Sequence, residues 1–532
     1  MSASIAPQFR LPPDTGPAAL VARLRELLPF RVREDPARNV SVTLLDTFDW
    51  RVFESGGYLE LEATGKRRQL TWWSADESEL RESCPVGALP RFATDLPPGH
   101  LREVLAPLLD VRALVPLVQM RGRVHPLDVL DGESKTVLRL TVEEHRVQRP
   151  GHRPGPWLRR LRIFPVKGYP EPVRAIADLA SGTLGLARAE TLLFVDALAA
   201  VGRRPRDYDP RLAFQLAPDM RADAALQVIL RKLLETVLAN EDGVRRQVDT
   251  EFLHDLRVAV RRARSLLGQV RKVFPDRVVS GLREDLGWLG RATNEARDMD
   301  VYLLAFDGYS ARLPEPTRAH LDPFRAFLLE HQTAAYGELG TLLSSGRFHR
   351  LVERWRALAL RDLPGRPTSA RARNPVAQVA RKRIWRAYRE VMRQGKAIRP
   401  GSPARALHAV RIACKKLRYL MEFFRSLYPP EAIGELIKAL KAFQDNLGEM
   451  QDLHVQQEQL TRFERAMAGE GRLQRETRDA MERLIESLAE RQAEVRDEFG
   501  SRFAAFSAPE TVAAFRGLFQ RRARKDREGQ TP

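Results

Sequence analysis

Apolar residues recur along this chain with two different periods, and the change of period divides the sequence. Up to about residue 180 they alternate with polar ones: NVSVTLLDTF, YLELEATG, RQLTWW, TVLRLTVEEH and LRRLRIFPV read as strands. Pro/Gly stretches such as RPGHRPGP punctuate them, and LVARLRELLP and HLREVLAPLLDVRALV read as helices between strands. The pattern predicts an α+β domain with a mainly antiparallel sheet over residues 1–180. Residues 181–220 read as a helix, SGTLGLARAETLLFVDALAAVG, and a linker, RRPRDYDPRLAFQLAPDM. From 221 onward nearly every stretch follows the helical period of 3.6.

Two of these helical stretches repeat one another. EFLHDLRVAVRRARSLLGQVRKVFP begins at Glu251 and ALHAVRIACKKLRYLMEFFRSLYPP at Ala406. An offset of 154 residues sets His254, Arg257, Arg261, Arg262, Arg264 and Arg271 against His408, Arg411, Lys415, Lys416, Arg418 and Arg425. The apolar stripe repeats with them: Leu253, Leu256, Val260, Ala263, Leu267 and Val270 against Leu407, Val410, Cys414, Leu417, Met421 and Phe424. The same offset, with no gap, sets Glu295, Asp298 and Val301 against Glu449, Asp452 and Val455. Two separated motifs in one register indicate a duplication. The expected fold over 221–510 is therefore all-α, a duplicated pair of antiparallel four-helix bundles with pseudo-two-fold symmetry. Repeat 1 covers 221–365 and repeat 2 covers 374–510, with a Pro/Arg linker between them and a basic tail over 511–532. Trp288, Trp355 and Trp385 fall on apolar stripes and are expected in the core.

Charge adds a partner class. Lys and Arg outnumber Asp and Glu by 88 to 69, a net charge of +19, which points to a polyanion. His254, Arg257, Arg261 and Arg264 fall on one helical face and form a rail about 15 Å long, suited to a linear polymer rather than to one phosphate. A solvated face needs only polarity, whereas here cation answers cation across the repeat. Arg suits bidentate contact with phosphate and Lys a point charge. Metal ligation by the histidines is the rival reading. Glu251 lies three residues before His254, but the second copy has Arg405 at that place, so no metal site and no cofactor are expected. Asp298 and Asp452 are expected to orient neighbouring cations rather than to form a catalytic pair. No Gly-rich phosphate loop, nucleophile elbow or H-E-x-x-H motif occurs. Cys84 and Cys414 are the only cysteines, so no disulfide framework is implied. The first residues hold no apolar signal core and the greasiest run, TLLFVDALAAV, is broken by Asp196. A cytoplasmic protein without a membrane span is the expectation.

The paired H-x-x-R-x-x-x-[RK]-[RK]-x-R helices and the R-D and Q-D segments after each resemble the CHAD domain, a family named for its histidines in an α-helical setting. The resemblance covers roughly 221–510 and implies binding of inorganic polyphosphate by a central basic pore or groove, often downstream of a CYTH domain. Carried over, it implies phosphate contacts from His254, Arg257, Arg261, Arg262, Arg264, His408, Arg411, Lys415, Lys416 and Arg418, with Arg271 and Arg425 extending the rail.

The order of elements in residues 1–180 resembles CYTH, the triphosphate tunnel family, which cleaves or binds triphosphates with carboxylate-held Mg²⁺ inside an antiparallel barrel. Its opening E-x-E-x-K strand is absent: the chain reads APQFRLPP there, with Arg160 and Arg162 where a late acidic strand belongs and Glu60 and Glu62 out of order. The expectation is a non-enzymatic polyphosphate-binding protein, associated with polyphosphate granules. Nucleic-acid binding and a triphosphatase acting through the first domain stand as alternatives.

Overall fold

The computed structural model describes residues 7–75, 80–148, 153–363 and 369–520. They form two compact units, one up to Pro210 and one from Arg211 onward.

The first unit runs β1 (Gln8–Arg10), α1 (Pro17–Leu27), β2 (Arg31–Glu34), β3 (Arg38–Thr47), α2 (Arg51–Glu54), β4 (Gly57–Thr64), β5 (Arg67–Ser74), β6 (Leu80–Pro85), α3 (His100–Leu109), β7 (Leu114–Leu130), β8 (Thr136–Gln148), β9 (Pro154–Pro165), α4 (Pro170–Ser181), β10 (Ala187–Arg188) and α5 (Leu193–Ala200). The strands make one ten-stranded sheet in the order β10-β1-β9-β8-β7-β3-β4-β5-β6, with β2 also on β7. Each described pairing is antiparallel. Alternation sorts β8 into two faces. Leu138, Leu140 and Val142 pack in a core with Leu20, Val21 and Leu24 of α1 and Ile176 and Ala180 of α4. Thr141, Glu143 and His145 line a cavity of about 460 Å³ on the other face.

The expected helix and linker at 181–220 resolve differently. Gly182 and the left-handed Gly185 (φ 61°) end α4, Ala187 and Arg188 pair with β1, and only Leu193–Ala200 is helical. The first unit therefore extends about thirty residues past the expected boundary, to Pro210. Two-residue strands have no periodicity to read.

The second unit is helical: α6 (Ala222–Arg245), α7 (Thr250–Gln269), α8 (Asp276–Ala292), α9 (Asn294–Ala311), α10 (Asp322–Leu343), α11 (Gly346–Leu360), α12 (Val376–Ala397), α13 (Ala404–Phe423), α14 (Pro430–Gly469), α15 (Arg475–Asp497), α16 (Phe499–Phe506) and α17 (Pro509–Phe519). The 154-residue offset recurs in the helix bounds. It carries both ends of α7 onto those of α13, and the starts of α6 and α8 onto those of α12 and α14. Six helices are described in each half rather than the expected four. One cause is Thr293, whose hydroxyl donates back to the carbonyls of Leu289 (2.9 Å) and Gly290 (3.2 Å) where α8 gives way to α9. Leu447 stands at that place in the second copy, and α14 runs unbroken for 40 residues.

Of the three tryptophans expected in the core, Trp355 is buried, its indole N–H donating to the Leu230 carbonyl at 3.0 Å. Trp288 and Trp385 are only half-buried, and Arg347 lies over the Trp288 ring at 4.3 Å. Residues 511–519 of the expected tail belong to α17, which starts at Pro509 and whose Phe515 stacks on Tyr388 at 4.0 Å; residues 521–532 lie outside the described residues. So does part of the linker between the repeats, residues 364–368.

Candidate anion-binding site

Helices α7 and α13 carry the site, and each is fixed by its apolar stripe. Leu253, Leu256, Val260, Ala263 and Leu267 are buried on α7, and Leu407, Val410, Cys414, Leu417 and Met421 on α13. Asp249 caps α7, accepting from the amides of Glu251 (2.9 Å) and Phe252 (3.3 Å). Gly243 on α6 lets Phe252 approach to where a Cβ would lie 2.1 Å from the ring, so α6 seats the start of α7 closely.

Cations of the two helices meet. Arg261 donates through Nε to the Tyr419 hydroxyl on α13 at 2.9 Å. Arg262 reaches Glu422 at 2.8 Å, and the same carboxylate faces Arg418 at 3.4 Å. Lys415 sits among like charges: burial first, then Arg411, Arg261 and Arg418, bring its ammonium down to about 8, with Asp452 opposing. Arg411 donates to Asp452 at 3.1 Å, a carboxylate still 63% exposed, so much of its field is spent on solvent. Arg411, Lys415 and Arg418 line a cavity of about 690 Å³ together with Tyr309 of α9, Arg312 just past the end of that helix and Asp452 of α14.

Arg257 has a second duty. It donates to the Gly290 carbonyl (3.0 Å), the Thr293 hydroxyl (2.5 Å) and the Asn294 side chain (2.8 Å), clamping the α8–α9 break. Burial pulls its guanidinium down to about 10, partly offset by Asp298, with Arg261 and Arg297 adding repulsion. Asp298 thus acts on Arg257 through its charge, whereas Asp452 in the other copy accepts directly from Arg411.

The other expected contacts are more scattered. His408 is exposed, its Nδ1 2.7 Å from the Gln451 side chain, and His254 is half-buried one turn before Arg257. Arg264 lies over Gly287 of α8, beside Arg291. Arg425 lies next to Gly434. Lys416 and Arg271 line a different cavity, so the twelve cations and histidines do not share one rail. Arg312 was not legible as a site residue, because its place in the second copy is Ala466 and the repeat gives no signal there.

In the first unit, Arg162 and His145 enclose Glu143, at 3.4 and 3.0 Å. Burial works against the Glu143 carboxylate, yet Arg162 and then His145 outweigh it and hold the acid below its ordinary range. Glu62 pairs with Arg38 at 3.2 Å, and Arg160 is held by Asp196 of α5. Among the described residues no group of three or more His, Cys, Asp or Glu is placed to hold a metal ion, and no helix is long and apolar enough to cross a membrane.

The CHAD domain model matches residues 228–461. Among solved structures, the chain is similar to the CHAD domain from the plant Ricinus communis, with 25% identity over 58% of this chain and 94% of that one and a TM-score of 0.44. It is also similar to PptA from Streptomyces chartreusis, with 17% identity over 53% of this chain and 99% of that one and a TM-score of 0.42. No curated protein matches. The antiparallel sheet of the first unit is compatible with a CYTH-like fold. Residues 228–461 of this chain are a CHAD domain.

Proposed function

We propose that the helical unit binds inorganic polyphosphate, with the α7–α13 cluster as the contact surface. The CHAD family is associated with polyphosphate binding. The observation that carries the reading to particular residues is Lys415, a lysine half-buried among Arg411, Arg261 and Arg418 from both copies. Such a cluster is unfavourable while empty and becomes favourable when phosphate oxygens enter between its members. A linear polymer supplies those oxygens in series, releases counterions as it binds, and can be followed from one copy to the other.

The protein acts in this reading as a binding module rather than an enzyme, in the cytoplasm and on polyphosphate granules. The arginine partners of Glu143 and Glu62 in the first unit support this, since they leave those carboxylates already engaged.

Competition binding is the test. Long-chain polyphosphate is expected to bind with an affinity that falls steeply with salt, and to resist displacement by duplex or single-stranded nucleic acid at equal phosphate concentration. Displacement by nucleic acid would move the assignment to the nucleic-acid alternative. Phosphate release from tripolyphosphate with Mg²⁺, lost on substitution of Glu60 or Glu62, would restore the triphosphatase.

A further inference from the structure

Lys416 follows Lys415 in sequence but serves another face. At 3.6 residues per turn, Arg411, Lys415 and Arg418 point together, whereas Lys416, with Ala409, Ile412 and Ala413, lies roughly 150° around α13. The cavity on that side, of about 630 Å³, gathers Lys416 with Arg271, which follows the C-terminal end of α7, and Arg383 and Arg386 of α12. Arg383 donates to the backbone carbonyl of Arg271 at 3.5 Å. Burial, then Arg371, Arg386 and Arg271, lower its guanidinium from the ordinary arginine value. Among the described residues the one carboxylate lining this cavity is Glu390, which is engaged by Arg393 at 2.5 Å and by Gln394 and also feels the charge of Lys416.

This cavity is not a copy of anything in the first repeat. The positions answering to Arg383 and Arg386 on α6 are Ile229 and Lys232. Glu422 stands where the other copy has Gly268, and it neutralises Arg262, the counterpart of Lys416. The repeat therefore yields one open cationic cavity here and one closed ion pair there.

We propose that the cavity of Arg271, Arg383, Arg386 and Lys416 is a second, independent polyphosphate site, so that one CHAD domain holds two phosphate strands on opposite faces of α13 and crosslinks polymer chains. The proposal rests on the polyphosphate reading above and extends it from binding to bridging. Planar guanidinium groups from α12 and an ammonium from α13 suit phosphate oxygens. The helix between the two cavities, about 10–12 Å across with its side chains, keeps a short oligophosphate from occupying both. A long polymer can engage both sites, on one protein or on neighbours, and bivalency of this kind converts binding into network formation.

Titration calorimetry of the full-length protein with tripolyphosphate should give two sites per chain. Arg383→Gln with Arg386→Gln should leave one site and keep binding of long-chain polyphosphate. The same variant should abolish the growth in light scattering that the unsubstituted protein shows with long chains, and Arg383→Lys with Arg386→Lys should restore it. Matched melting temperatures exclude unfolding as the cause. Two sites persisting in the Gln variant, or a single site in the unsubstituted protein that Arg411→Gln with Lys415→Gln removes, would overturn the crosslinking proposal and leave the polyphosphate reading standing. No change in binding with either pair would overturn that reading itself.

Discussion

The Nε of Arg261, on the first copy of the basic helix, donates to the hydroxyl of Tyr419, on the second, at 2.9 Å. This bond joins the copies where their charges converge. Arg261 is exposed and Lys415 half-buried, yet each raises the electrostatic potential felt by the other. Arg261→Gln and Lys415→Gln should therefore weaken long-chain polyphosphate binding to similar degrees, each lowering the salt slope by about 0.9 if the counterion rule for duplex DNA carries over. The double variant should fall short of the sum, because removing either cation relieves repulsion on the other. Anisotropy titrations across a salt series measure this. A silent Arg261 beside a critical Lys415 would mean that one helix binds alone.

Lys415 predicts a pH dependence of stability. Its folded value of about 8 lies below the roughly 10.4 of a free lysine, so between those values the unfolded chain holds more protons. Stability of the ligand-free protein should rise with pH through this window as the strained charge is lost, and fall as pH drops through 8. Lys415→Met should therefore raise the melting temperature at pH 7, by about 2 °C for each kcal/mol relieved. The gain should vanish above pH 10.5. Scanning calorimetry at pH 7 and pH 10.5 compares the two.

Ligand binding should run the opposite way in pH. The bound polymer favours the ammonium, so affinity should fall from pH 7 to pH 9 with uptake of about one proton per site at the upper end. Calorimetry in buffers of different ionisation enthalpy counts that proton. Lys415→Arg, whose charge persists to higher pH, should flatten the profile.

Arg257 should behave unlike Arg261 although both belong to the same motif. Its three donations at the α8–α9 break make it structural as well as cationic. Arg257→Ala should lower the unfolding free energy of the helical unit by about 2 kcal/mol, and Arg261→Ala by much less. Urea denaturation followed by circular dichroism at 222 nm separates the two.

Glu143 sets a test for the first unit. It is buried between Arg162 and His145, and its carboxyl is held below the ordinary range. Glu143→Gln should destabilise this unit by about 3 kcal/mol at pH 7. A depressed acid contributes above its unfolded pKa and loses that contribution as pH falls through the folded one, so the difference should shrink below about pH 4. Unfolding monitored by the fluorescence of Trp72 and Trp73 reports it.

The helical unit was largely legible in the sequence because two requirements repeat together. The stripe from Leu253 to Leu267 and the cations beside it recur 154 residues on, and the observed bounds of α7 and α13 keep that offset at both ends. What the repeat could not announce lies outside it. Arg383 and Arg386 have no cationic pair of counterparts, Glu422 answers to a glycine, and Arg312 answers to Ala466. Treating Lys415 and Lys416 as one rail overlooked that adjacent residues diverge by about 100° on a helix. In the first unit the alternation gave the sheet, but Arg162 and Arg160 of β9 meet Glu143 on β8 and Asp196 on α5, elements apart in sequence, where no local pattern pairs them.

The unbroken α14 has an effect beyond carrying Asp452. Its far half delivers Phe463 to Tyr302 (5.1 Å), Phe324 (5.8 Å) and Phe327 (6.1 Å), aromatic rings that belong to the other repeat. The second half of the duplication thus lends a wedge to the first half's interior, so burial of that ring ties the two halves, and the basic helix that each carries, into one hydrophobic unit.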